Sequence, residues 1–332
     1  MEIKRDRYLN RLISKKFNGL IKVVTGIRRS GKSYLLFNLY YDYLLSEGVS
    51  KDNIITIPLD DVDYEKYCNP LVLHEYIKER IVDDTKEYYV FIDEAQYAIT
   101  KEEMKNPDVP IRLYGVLNSL LRKKNVDVYI TGSNSKFLSS DIMTEFRGRG
   151  DEIHVSPLSF SEFYLASGKD KMDAWSEYLY YGGLPHILSE PDSESKSNYL
   201  KRLNKEIYLK DLCERYDIKD EMGMEELMKV ISSAIGSLSN PQKISDTFKS
   251  SGNKTLSMPT IANYLKYLEE SFLIEKAERY DIKGRKYIST PSKYYYTDLG
   301  LRNALLNFRQ FEETHLMENA IYNELIYRGY SV

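Results

Sequence analysis

Two apolar textures alternate through the first half of the chain. Short continuous runs at 20–25 (LIKVVT), 54–59 (IITIPL), 88–92 (YYVFI) and 126–130 (VDVYI) are rich in β-branched and aromatic residues. Runs without an in-out alternation are the mark of strands buried on both faces of a parallel sheet. Between them, at 34–45, 71–82 and 111–123, apolar residues recur every three or four positions, the spacing of amphipathic helices. Residues 1–19 read as a basic helix with Leu9, Leu12 and Ile13 on one face. Strands alternating with helices predict a parallel α/β sheet with right-handed crossovers, sandwiched by helices.

The texture changes near residue 155. Residues 161–216 read as mostly helical, broken at Gly182-Gly183-Leu184-Pro185 and carrying a polar loop over 189–197 (SEPDSESKS). Then come a helix at 222–238, a short helix at 241–249, a turn at Ser251-Gly252-Asn253, a helix at 258–272 and two strand-like runs, 274–280 and 286–296. Three helices and a two-stranded wing make a winged-helix pattern, with 257–267 in the recognition-helix position.

The candidate chemistry sits where the first strand meets its helix. Gly26-Ile27-Arg28-Arg29-Ser30-Gly31-Lys32-Ser33, followed by Tyr34, fits G-x-x-x-x-G-K-[ST] between an apolar run and a helix pattern. In such a loop the glycines let successive N–H groups face phosphate oxygens, the lysine reaches the β- and γ-phosphates and the serine hydroxyl ligates Mg²⁺. A helix N-terminus behind the loop favours the same anion. Asp93 and Glu94 end the YYVFI run, which suits Asp93 to the Mg²⁺ shell and Glu94 to polarising the attacking water. Gln96 either joins them or caps a helix. After the next strand, Ser133 or Asn134 would orient water near the γ-phosphate; turn chemistry explains these residue types equally well. Arg147 and Arg149, in Phe-Arg-Gly-Arg-Gly, offer an arginine for transition-state charge, or else pair with Asp151 and Glu152 on a surface loop. Arg28 and Arg29 are expected to point outward, towards a partner or a neighbouring subunit.

Composition narrows the alternatives. At 332 residues the chain exceeds one ordinary core, and 42% hydrophobic with 29% charged residues is normal for a globular protein. A net charge of −3 leaves room only for a local nucleic-acid surface. Two cysteines, Cys68 and Cys213, make neither a disulfide framework nor a zinc site and fit a reducing cytosol. The four histidines (His74, His154, His186, His315) lack metal-ligand spacing. The polar N-terminus carries no apolar signal segment, and no run approaches the roughly 20 residues that cross a bilayer, so a cytoplasmic protein with no membrane association is expected. Thirty tyrosines are unusual but name no site.

GIRRSGKS, YYVFIDEAQ, YITGSNS, FRGRGDEIHVSPLSFSEFY and YLYYGGLPHIL, with YLKDLCERYD, IGSLSNPQKISDTFK, TIANYLKYLEESF and YYYTDLGLR further on, resemble the AAA_14/DUF4143 family of prokaryotic AAA+-type ATPases over almost the whole chain. The resemblance implies an AAA+-like P-loop core at 1–160, a helical lid at 161–220, a winged-helix domain at 221–308 and, at 309–332, the start of a C-terminal domain of nuclease-like shape. In that pattern Glu318 lies on the first helix of the nuclease-like domain. The later strand with its acidic pair and basic residue is not in this sequence, so Glu318 makes no metal site alone and no nuclease activity is expected; the chain reads as shortened relative to the family pattern.

Taken together, the sequence predicts an ATPase using ATP and Mg²⁺ and coupling hydrolysis to a winged-helix module. A nucleotide-dependent switch of low turnover, acting as a protein-interaction module, is the alternative. A small-molecule kinase is disfavoured, because no lid arginine cluster or acceptor pocket is seen. Residues 241–302 hold 11 Lys and Arg against 7 Asp and Glu, a small local excess that Lys254, Lys266, Lys283, Arg285 and Lys286 would bring to DNA, or that a protein partner would use. A homo-oligomer is a further expectation, since AAA+ relatives often take an arginine from a neighbour.

Overall fold

The computed structural model describes residues 3–106, 108–132, 150–250, 256–278 and 291–332. The chain divides into two compact units, Lys4–Val155 and Ser156–Val332.

The first unit is built on five parallel strands: β1 (Ile21–Thr25), β2 (Ile54–Pro58), β3 (Tyr88–Asp93), β4 (Val126–Thr131) and β5 (Gly150–His154), in the order β2-β3-β4-β1-β5. β1, β3 and β4 are buried at every position, as their uninterrupted apolar runs require. Helices α1 (Asp6–Ser14), α2 (residues 32–46), α3 (Pro70–Arg80) and α4 (Arg112–Leu121) connect and cover them. The first helix is shorter than the expected 1–19. α2 carries a π-helical segment, Leu35–Tyr40, between two α-helical ones. One core gathers Ile55, Ile57, Val90, Ile92, Val128 and Ile130 from the sheet with Leu73, Ile77, Leu113 and Leu117 from α3 and α4. Each such side chain contributes about 1.5–3 kcal/mol by leaving water. Elsewhere in the sheet tyrosines replace aliphatics. Tyr40 of α2 packs on Phe91 and Tyr129, its hydroxyl 2.6 Å from that of Tyr129, which donates to Asp127 at 2.7 Å. Asp127 also pairs with the buried Lys22, so this polar column is hydrogen-bonded throughout. β5 was not anticipated. It is an edge strand that alternates buried Ile153 with partly exposed Glu152 and His154, so it has no continuous apolar run.

The second unit is mainly helical: α5 (Phe160–Ser167), α6 (Lys171–Tyr181), α7 (residues 193–215, π-helical over Leu203–Leu209), α8 (Glu221–Ser233), α9 (Pro241–Ser250), α10 (Met258–Glu270), α11 (Leu299–Leu305) and α12 (Glu313–Tyr327). Strands β6 (Ile274–Ala277) and β7 (Lys293–Tyr296) pair antiparallel, and Ser239 bridges to Ser292. The polar stretch expected to be a loop over 189–197 instead contains the start of α7. The Asp192 carboxylate accepts the Ser195 N–H at 2.7 Å, giving the polar first turn its cap. The break at 182–185 is a docking point. Asp298, buried at the start of α11, accepts N–H groups of Leu301 and, across the unit, Gly183. Arg302 is fully buried and donates to the carbonyls of Ser232 and Gln310 and to Asn303. Glu318 is engaged by Lys293 and the Tyr295 hydroxyl. Among the described residues no cluster of three or more His, Cys, Asp or Glu is placed to hold a metal ion, and no helix is long and apolar enough to cross a membrane.

Candidate nucleotide site

β1 delivers the chain into a loop that reverses sharply at Gly26. There φ is 136°, and a Cβ would collide with the carbonyl oxygen of Val155, so both conformation and space require glycine. Ser30 N–H closes a turn on the Ile27 carbonyl at 3.3 Å, Arg29 is left-handed (φ 66°), and Gly31 at φ 94° starts α2. Ile27 and Ser30 are buried beneath the loop, Arg28 and Tyr34 are half-buried, and Arg29 and Ser33 are exposed. Of the two arginines expected to face outward, only Arg29 is fully exposed.

Lys32 is folded back under the loop. Its ammonium donates to the carbonyls of Gly26 and Ile27, at 2.9 Å each. It is only 4% exposed, and burial draws its pKa down to about 8, against the pull of Glu94 and Asp93. Among the described residues this buried ammonium has no charge partner in contact, which is the condition a phosphate would relieve.

Asp93 lies at the buried end of β3 and accepts a hydrogen bond from the Thr131 hydroxyl. Burial raises its pKa, and the hydroxyls of Thr131 and Ser33 oppose the rise. Glu94, the next residue, is left-handed at φ 48°, ψ 50°. Its N–H donates to Thr131 Oγ1 at 3.0 Å and its carboxylate accepts the Gln96 side-chain amide. The other amide atom of Gln96, Oε1, is buried with no hydrogen-bond partner among the described residues.

The sheet order makes this grouping. β4 lies between β1 and β3, with Val24 in register with Thr131 and Ile92 with Ile130. The loop after β1, Thr131 ending β4 and Asp93-Glu94 ending β3 therefore share the carboxyl edge of the sheet, where open α/β sheets bind ligands. Lys32, Ser33, Asp93 and Glu94 come together there as the sequence predicts. Ser133, Asn134, Arg147 and Arg149 lie outside the described residues. Thr131 was missed as a site residue, because a threonine closing an apolar strand reads as a β-branched strand former. The available signal was its place at the end of VDVYIT, level with the aspartate that ends YYVFID. His154 contacts Thr25 Oγ1 at 3.2 Å behind the loop, and burial, then the charges of Lys32 and Arg11, hold its pKa down to about 4.

Residues 18–164 match the AAA domain family, and residues 172–312 match a domain of unknown function, DUF8612. The second match stands where the resemblance had placed DUF4143. An uncharacterized protein of Haemophilus influenzae is 35% identical over 99% of this chain and 80% of its own length. The uncharacterized protein MJ1544 of Methanocaldococcus jannaschii is 29% identical over 98% of this chain and 71% of its own length. Among solved structures, the Walker-type ATPase PABY2304 of Pyrococcus abyssi superposes with a TM-score of 0.61 at 15% identity, covering 92% of this chain and 96% of that one, a likeness of fold. The chain belongs to the same family as the H. influenzae protein, a family of AAA-type ATPases with a P-loop α/β core and a helical C-terminal region.

Proposed function

We propose that the chain binds ATP with Mg²⁺ at the 26–33 loop and hydrolyses its terminal phosphoanhydride. The observation that carries this is the Lys32 ammonium, buried under a glycine-hinged loop and, among the described residues, satisfied only by the loop's own carbonyls, beside the Asp93-Glu94 pair. The donor set fits the group: N–H donors and a helix N-terminus for phosphate, a hydroxyl and a carboxylate at the same edge of the sheet for a hard oxygen-loving cation, and a second carboxylate for water. Lys32 would hold the phosphates, Ser33 and Asp93 the Mg²⁺, and Glu94 would take the proton of the attacking water. The bound ion supplies charge neutralisation on the phosphate oxygens. Ser133 or Asn134 would orient that water, and Arg147 or Arg149 would meet transition-state charge. Binding of a fluorescent ATP analogue tests the first step: wild type binds, more tightly with Mg²⁺ than with EDTA, and Lys32→Met does not. Equal binding by both removes the proposal.

The bond between Gln96 and the Glu94 carboxylate favours a second reading, in which the resting enzyme turns over slowly and reports nucleotide occupancy to a partner. Steady-state turnover separates the two.

The second unit is proposed as the output. Helices α8, α9 and α10, the β6-β7 hairpin and the Ser239–Ser292 bridge support a winged-helix reading. Of its basic residues, Lys249, Lys266, Lys276 and Lys293 are paired with acids, and Arg302 is buried. Lys254, Lys283, Arg285 and Lys286 lie outside the described residues. Met222, Leu238 and Met258 are about half exposed or more. These exposed apolar side chains favour a protein partner, a second copy of the chain included, over DNA.

A further inference from the structure

We propose that Thr131 is the positioning residue that fixes both acidic groups of the site at once; this rests on the nucleotide-site reading above. Its hydroxyl touches both members of the pair: it donates to the Asp93 carboxylate and accepts the Glu94 N–H. A single hydroxyl can do both, because it carries one O–H donor and two acceptor lone pairs. Its side chain has no freedom to leave. Thr131 is fully buried at the end of β4, and β-branching restricts its rotamer.

The second half of the inference concerns why the pair needs holding. Glu94 is a non-glycine residue in the left-handed region, a conformation that is strained for any residue with a Cβ. That conformation turns the chain directly after Asp93, so consecutive residues can serve two different atoms of one ligand: Asp93 the cation and Glu94 the water. The hydrogen bond from Glu94 N–H to Thr131 Oγ1 offsets part of the strain, and Tyr97 N–H donating to the Glu94 carbonyl at 3.0 Å contributes on the other side. On the Asp93 side, the Thr131 O–H occupies one acceptor site of the carboxylate, which restrains the carboxylate before a cation arrives. Thr131 thus relates a cation ligand to a proton acceptor across the strand gap between β3 and β4. It touches no substrate itself.

Thr131→Val keeps the shape and removes both hydrogen bonds; Thr131→Ser keeps both bonds and removes the methyl. The experiment measures fluorescent-ATP binding with EDTA, the Mg²⁺ concentration dependence of binding, and steady-state kcat and KM for MgATP. Metal-supporting hydrogen bonds of this kind change metal affinity or activity by about 10–100-fold. Expected for Thr131→Val are EDTA-state binding within about threefold of wild type, Mg²⁺ affinity and kcat each lower by about 10–100-fold, and KM nearly unchanged, with Thr131→Ser restoring Mg²⁺ affinity and kcat. Thr131→Val with wild-type Mg²⁺ dependence and kcat overturns the proposal, as does Thr131→Ser behaving like Thr131→Val. If Thr131→Val does not fold, Thr131→Ala in the same measurements decides by the same criteria. If wild type binds MgATP but does not hydrolyse it, the ATPase reading falls while Thr131 is still judged by Mg²⁺-dependent binding. If wild type binds no nucleotide, both fall.

Discussion

At the residue scale, the site and the stability of the fold pull in opposite directions. Lys32 is buried with a pKa drawn down to about 8, below the 10.5 of an exposed lysine. A group whose folded pKa is depressed in this way binds a proton less readily in the folded chain, so at pH 7 the charged form costs stability. Lys32→Met is therefore expected to melt at the same temperature as wild type or higher without nucleotide. It loses the upward shift that saturating MgATP gives wild type; differential scanning fluorimetry reads both. His154 gives a pH dependence of determinate sign. Its pKa of about 4, against 6.5 in an unfolded chain, means the unfolded state holds more protons between those values. Stability from this group is present above about pH 6.5 and is lost as pH falls towards 4. Replacing His154 with Gln should flatten that part of a melting-temperature profile; an unchanged profile would assign the dependence elsewhere.

At the element scale, strands were easier to read than the contacts between them. The apolar runs of β1, β3 and β4 announced themselves because both faces of each strand are covered. β5 did not, since an edge strand with Glu152 and His154 partly exposed lacks the signal that double burial leaves in a sequence. The glycine loop was legible because its chemistry is local. Thr131 was not, because its role depends on which strands are neighbours, and only the β3-β4-β1 order brings it beside Asp93. The same holds in the second unit. Gly182-Gly183 reads as a helix break, yet its partner is Asp298, over a hundred positions away, at the start of a helix the sequence pattern did not announce. Asp298→Ala removes the cap of α11 and an acceptor for a buried N–H. A loss of about 2–4 kcal/mol is expected from the urea unfolding of the full chain, followed by a signal from the second unit. A change under 0.5 kcal/mol would show that the contact is incidental.

At the scale of the whole molecule, the thirty tyrosines have a physical place. Tyr8, Tyr40, Tyr88, Tyr89, Tyr129 and Tyr296 are among the largest fully buried side chains, several joined to buried polar groups that an aliphatic residue would leave unsatisfied. Among the described residues of 241–302, six Lys and Arg stand against six Asp and Glu, so the basic excess of that segment lies in residues outside the described ones. The protein-partner reading predicts weak binding to a generic duplex with little salt dependence, whereas a log–log slope of about −4 or steeper would mean several phosphate contacts and reassign the second unit to DNA. Mass measurement with and without MgATP tests whether copies assemble and whether Arg147 or Arg149 could act on a neighbour.

The central proposal is that Glu94 takes a proton from water at a site that Lys32 and the glycine loop build. The most direct measurement is steady-state phosphate release by wild type and Glu94→Gln, with ATP binding followed in parallel. Glutamine keeps the size and hydrogen-bonding capacity of the side chain but cannot accept the proton as a carboxylate does, so hydrolysis should fall by about 100-fold or more while ATP binding is kept. Equal hydrolysis rates in the two proteins, both binding ATP, would contradict it.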